Sequence, residues 1–148
     1  MQQANHQFLK QPLINGMKQL ADDAGICLFD ADGDQDLDVY IAGGGNELPK
    51  NSMGYADRFF INDGKGNFVY DSAALPILAS SKSCVKGADF DGDGDIDLFV
   101  GGRAVPGEYP KAEMSYLLRN NTKNGIIRFE VVTDKVAPAL KKMGMITD

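Results

Sequence analysis

Asp89-Phe90-Asp91-Gly92-Asp93-Gly94-Asp95-Ile96-Asp97-Leu98 places an aspartate at every second position, and Asp30-Ala31-Asp32-Gly33-Asp34-Gln35-Asp36-Leu37-Asp38-Val39 repeats the pattern 59 residues earlier. Five like charges within nine residues repel strongly, and no core can bury them bare. A hard divalent cation would neutralise them. Calcium takes six to eight oxygens at about 2.3–2.6 Å, and a tight loop with aspartate at positions 1, 3 and 5 turns three carboxylates inward while glycine absorbs the turn. Each loop is therefore expected to hold one calcium ion. In the first loop the expected side-chain ligands are Asp30, Asp32, Asp34 and Asp38, with the backbone carbonyl of Asp36. In the second they are Asp89, Asp91, Asp93 and Asp97, with the carbonyl of Asp95.

The residues after each loop decide what kind of calcium motif this is. A helical calcium loop needs a bidentate glutamate at position 12, and that position is Ile41 in one copy and Val100 in the other. The segments Leu37-Asp38-Val39-Tyr40-Ile41 and Ile96-Asp97-Leu98-Phe99-Val100 are β-branched and aromatic, and they run into Ala42-Gly43-Gly44 and Gly101-Gly102. They read as strands. Gln35 stands where the second loop has Gly94, so the first site is expected to be the more strained and the weaker of the two.

Other segments repeat with nearly the same offset. Asp57-Arg58-Phe59-Phe60-Ile61-Asn62-Asp63 aligns with Ser115-Tyr116-Leu117-Leu118-Arg119-Asn120-Asn121, and each precedes a turn and a short strand containing Phe68 or Phe129. A period near 60 with four short strands per unit points to β-propeller blades, since one such sheet cannot bury both faces alone. Strands A to D are expected at Gly25 to Phe29, Asp38 to Ala42, Arg58 to Asn62 and Asn67 to Tyr70. The second unit repeats them at Cys84 to Ala88, Asp97 to Gly101, Tyr116 to Asn120 and Ile127 to Thr133. Asp63-Gly64-Lys65-Gly66 supplies residues that tolerate positive φ in a hairpin.

The fold class is thus all-β, with about two four-stranded antiparallel units. Residues 1–20 are expected to hold the last strand of a preceding blade, around Phe8, and a linker. Residues 21–72 form the first unit, 73–134 the second, and 135–148 the start of a following blade. On this reading the chain is a slice of a larger propeller with open edges, and open apolar edges are expected to drive self-association.

Composition narrows the function. At 148 residues and 43% apolar content the chain suits one ordinary domain. The net charge of −6 argues against nucleic acid, because no basic stripe exists to displace counterions from phosphates. No apolar run reaches the length of a membrane span, and Met1-Gln2-Gln3-Ala4-Asn5-His6 lacks the charged-then-apolar layout of a secretory signal. Carboxylate-rich loops of this kind suit surroundings with millimolar calcium, outside the cytosol. Cys27 and Cys84 are expected as small buried thiols rather than a disulfide. Catalysis finds little support. The sole histidine, His6, has no visible nucleophile or acid partner, Ser80-Ser81-Lys82-Ser83 lacks a nucleophile elbow, and Gly43-Gly44-Gly45 lacks the lysine of a phosphate loop.

The acidic loops, the hairpin Asn62-Asp63-Gly64-Lys65-Gly66-Asn67-Phe68 and the period resemble the FG-GAP/VCBS repeats of integrin-like β-propellers. Leu28-Phe29-Asp30-Ala31-Asp32-Gly33-Asp34, Gly44-Gly45-Asn46-Glu47, Tyr55-Ala56-Asp57-Arg58 and Leu98-Phe99-Val100-Gly101-Gly102-Arg103 are similar to VCBS-repeat proteins that often carry an ASPIC/UnbV domain. The resemblance implies calcium loops in the A–B hairpin of each blade. It also implies a secreted or surface-attached protein, commonly bacterial, that acts as a non-catalytic recognition or adhesion scaffold for protein or glycan. The alternatives are a purely structural repeat region, or a fragment of a propeller hydrolase or lyase whose catalytic residues lie elsewhere in the parent protein.

Overall fold

The computed structural model describes residues 21–147. Strand β1 (Asp22–Phe29) pairs antiparallel with β2 (Asp38–Gly44), so that Phe29 faces Asp38 and the acidic segment between them becomes the hairpin loop. Strand β2 then pairs with β3 (Arg58–Asn62), and β3 with β4 (Phe68–Tyr70). The second unit repeats this meander with β5 (Lys82–Ala88), β6 (Asp97–Gly102), β7 (Tyr116–Asn120) and β8 (Phe129–Val131). The units join where Gly44 of β2 meets Lys82 of β5 in parallel register, which makes one strongly curled sheet. This is part of a β-propeller. Both inner strands also break register at the same place, between Asp23 and Gly25 and between Lys82 and Cys84.

The core lies between the blades because alternate residues of each strand point to opposite faces. In β2, Tyr40 and Ala42 face the second blade, whereas Val39 and Ile41 join Phe60 in a separate cluster. Leu98 and Val100 of β6 and Leu118 of β7 complete the shared core, with Ala74 and Leu78 from the inter-blade linker. Three phenylalanines close its base: Phe29 and Phe59 from the first blade and Phe129 from the second, with ring centroids 6.0 to 6.1 Å apart. Neither blade could bury this surface alone.

The expected strands all form, with shifted ends. Inner strands β1 and β5 begin before Gly25 and Cys84, while β4 begins at Phe68. The expected last strand is too long: it ends at Val131, and Thr133 starts a short helix, α1 (Thr133–Val136). The cause is local. Thr133 Oγ1 accepts the Leu117 backbone N–H at 2.8 Å, taking the donor that further pairing would need, and the chain turns off the sheet. A 3₁₀ turn follows over Pro138–Lys142, and Ile146 then donates its N–H to Gly102 O at the end of β6. The expected strand around Phe8 lies outside the described residues. Gly64 and Gly66 take positive φ in the β3–β4 turn, as the hairpin requires. Cys27 and Cys84 are free thiols.

Candidate metal centre

Each loop folds around its first aspartate. Asp30 accepts the N–H of Gly33 at 2.7 Å and that of Gln35 at 2.9 Å; Asp89 accepts those of Gly92 at 2.7 Å and Gly94 at 3.0 Å. The last aspartate anchors the loop to the sheet. Asp38 accepts the N–H groups of Ala31 and Asn62, and Asp97 those of Phe90 and Asn120. Asp38 and Asp97 are each 1% exposed, whereas the other loop carboxylates are far more open to solvent.

The fold brings oxygens of Asp30, Asp32 and Asp38 within 4.8 Å of one another, and does the same for Asp89, Asp91 and Asp97. Asp34 and Asp93 stand outside these groups, and their carboxylates accept the N–H of Asp36 and Asp95. The Asp36 carboxylate is turned toward Gly64 in the neighbouring hairpin, so it is only through its backbone carbonyl that Asp36 fits the expected ligand set. Three converging carboxylates in an all-oxygen donor set fit calcium. An ion would also relieve the repulsion within each group.

Burial above all, and then the neighbouring carboxylates, hold the Asp38 and Asp97 carboxyls above the ordinary range. A raised pKa means that protons persist there to higher pH and compete with a cation. Any cation held by these groups would therefore be released on acidification at a higher pH than unperturbed carboxylates, titrating near 4, would allow. Titrations at pH 7, 6 and 5 check this, and a constant affinity down to pH 5 would contradict it.

Residues 30–100 match the family described as the FG-GAP-like repeat. The chain carries an FG-GAP-like repeat. The matched segment starts at the first aspartate of the first loop and ends in β6, so it spans both acidic loops of the FG-GAP region. Neither a curated protein nor a solved structure matches the chain.

Gln35 adopts φ +74°, the left-handed conformation that Gly94 takes with φ +95° in the second loop. A residue with a side chain pays a steric cost there that glycine avoids. Gln35→Gly is expected to stabilise the chain by about 0.5–1 kcal/mol, the relief being partly offset by a more flexible unfolded chain. Gly94→Gln should cost about 1 kcal/mol, since open space surrounds that position and backbone strain acts alone. Denaturant midpoints of the two variants measure it, and changes of the same sign would contradict it.

Sequence reasoning missed two sets of supporting residues. Asn62 and Asn120, at matching ends of β3 and β7, use their backbone N–H to seat Asp38 and Asp97. Their recurrence 58 residues apart was the signal available. Lys82, within the Ser80-Ser81-Lys82-Ser83 run, is fully buried, with Nζ 2.9 Å from Asp57 Oδ1 and donating also to Leu78 O and Tyr55 O. Asp57 in turn accepts the Tyr40 hydroxyl at 2.6 Å and the Gly43 N–H at 2.9 Å. Nothing in the local sequence pairs Lys82 with Asp57.

Proposed function

We propose that this chain is a calcium-stabilised, non-catalytic recognition module of an extracellular or cell-surface protein. The observation that carries the reading is the pair of equivalent three-carboxylate groups, each seated on a β-hairpin by the same hydrogen bonds. One such cluster is common on acidic surfaces. Two built alike, in an FG-GAP repeat, support a shared demand for a cation. Calcium would hold each hairpin closed and neutralise its charge.

The opposite ends of the strands suit recognition. There a cavity of about 310 Å³ is lined by Asp22, Asp23, Ala24, Gly45, Ser83, Arg103 and Thr147. The long loops beside it are tied together, Gly107 donating to Asn46 Oδ1 and Lys50 pairing with Glu108. They expose Tyr109 at 79% and Met53 at 60%, apolar surface of the kind that binding partners cover. Ser81 and Ser83 spend their hydroxyls on backbone carbonyls, which suits a structural role. No helix among the described residues is long and apolar enough to cross a membrane.

At free calcium ten times the dissociation constant, each site is expected to add about 1.4 kcal/mol, so two sites raise the melting temperature by roughly 5–10 °C. Magnesium should do much less, because its small octahedron fits these loops poorly. Thermal unfolding in excess calcium, in excess magnesium and in chelator tests the reading. Equal melting temperatures in calcium and chelator would sink it.

A further inference from the structure

Hydrogen bonds connect the two acidic loops across the blade boundary. Asn120, 2% exposed at the end of β7, donates its backbone N–H to Asp97 Oδ1 at 2.7 Å. Its side-chain amide crosses to the first blade and donates to Ala31 O at 3.0 Å. Ala31, 3% exposed, donates its own N–H to Asp38 Oδ2 at 3.0 Å. An unbroken path of three hydrogen bonds thus runs from Asp97 of the second loop to Asp38 of the first. Thr122 N–H, donating to Asn120 Oδ1, fixes which way the amide faces. The equivalent residue of the first blade behaves otherwise: the Asn62 amide donates to Leu37 O within its own loop.

We infer that this relay couples the two metal sites, so that an ion in one loop raises the affinity of the other. The inference rests on the calcium reading above. A loop must be ordered before it can close on an ion, and that ordering opposes binding. An ion in the second loop pins Asp97, Asp97 pins Asn120, and the Asn120 amide holds Ala31 together with the N–H that seats Asp38. Part of the first loop is then ordered before its own ion arrives, which gives positive coupling without any large movement. The factor must be the same in both directions.

The backbone N–H groups of Gly33 and Gly92 each bond the first aspartate of their loop, so their amide resonances report occupancy loop by loop. Calcium titrations followed in this way would use the intact chain, Asp89→Ala, Asn120→Ser and the double variant. Asp89 bonds only Gly92 and Gly94 among the described residues, so Asp89→Ala disables the second site without touching the relay. Asn120→Ser keeps the backbone donor and deletes the amide. The expected result is that Asp89→Ala weakens binding at the first loop about fivefold or more, and that this loss disappears in the Asn120→Ser background. First-loop affinity unchanged by Asp89→Ala overturns the coupling while leaving calcium binding intact. A loss that persists in the double variant overturns the Asn120 route. Absence of calcium binding at both loops of the intact chain overturns the calcium reading and the coupling with it. If Asn120→Ser fails to fold, the intact chain and Asp89→Ala still decide whether the sites are coupled.

Discussion

Lys82→Met is expected to destabilise the chain by about 3–5 kcal/mol, because it leaves a buried carboxylate without its counter-charge. Lys82 sits at the first residue of β5, where the second blade meets the first, and its ammonium reaches Asp57, Tyr55 O and Leu78 O. Burial raises the Asp57 carboxyl and lowers the Lys82 ammonium pKa, and each group's charge pulls the other back toward ionisation. Losing the lysine removes that compensation and strands two carbonyls. The chain itself supplies a less polar alternative: where the first blade has Tyr40 and Asp57, the second has Phe99 and Ser115, and Ser115 Oγ accepts the Gly102 N–H as Asp57 accepts that of Gly43. Adding Asp57→Ser and Tyr40→Phe to Lys82→Met should therefore recover more than half of the loss, since neither a buried charge nor an orphaned Tyr40 hydroxyl remains. Chemical denaturation of the single and triple variants tests this. A single variant within about 1 kcal/mol of the parent would show that the pair contributes little.

Asp97→Ala is expected to cost about 2–4 kcal/mol even without calcium, which sets it apart from the exposed loop aspartates. It orphans the buried N–H of Asn120, worth about 1–3 kcal/mol when left unpaired, and the half-buried N–H of Phe90, which water can partly satisfy. Calcium should then stabilise the variant less than it stabilises the parent, because one of the converging carboxylates is gone. Asp95→Ala, at an exposed side chain outside the carboxylate group, should change calcium-free stability by no more than about 0.5 kcal/mol. Equilibrium unfolding of both variants, with calcium and with chelator, separates the structural from the ionic contribution. Equal calcium-free stabilities would show that Asp97 serves only as a ligand.

The sequence by itself determined the repeat, the strand order and the position of both acidic loops. These follow from local rules: aspartates at alternate positions, glycines at Gly33, Gly92 and Gly94 that accept positive φ, and β-branched residues that continue as strands. Rules of that kind act over a few residues, and a repeat shows them twice. Only the tertiary structure decided which aspartates converge: Asp34 and Asp93 share the spacing of their neighbours yet stand outside both three-carboxylate groups, which close on Asp38 and Asp97 where Asn62 and Asn120 of the next strands seat them. It also decided that Lys82 is a buried cation matched to Asp57, and that Asn120 reaches Ala31 across the blade boundary. Those contacts depend on how one blade packs against the next. The packing sets distances between residues 25 to 89 positions apart, and no pattern within either blade encodes them.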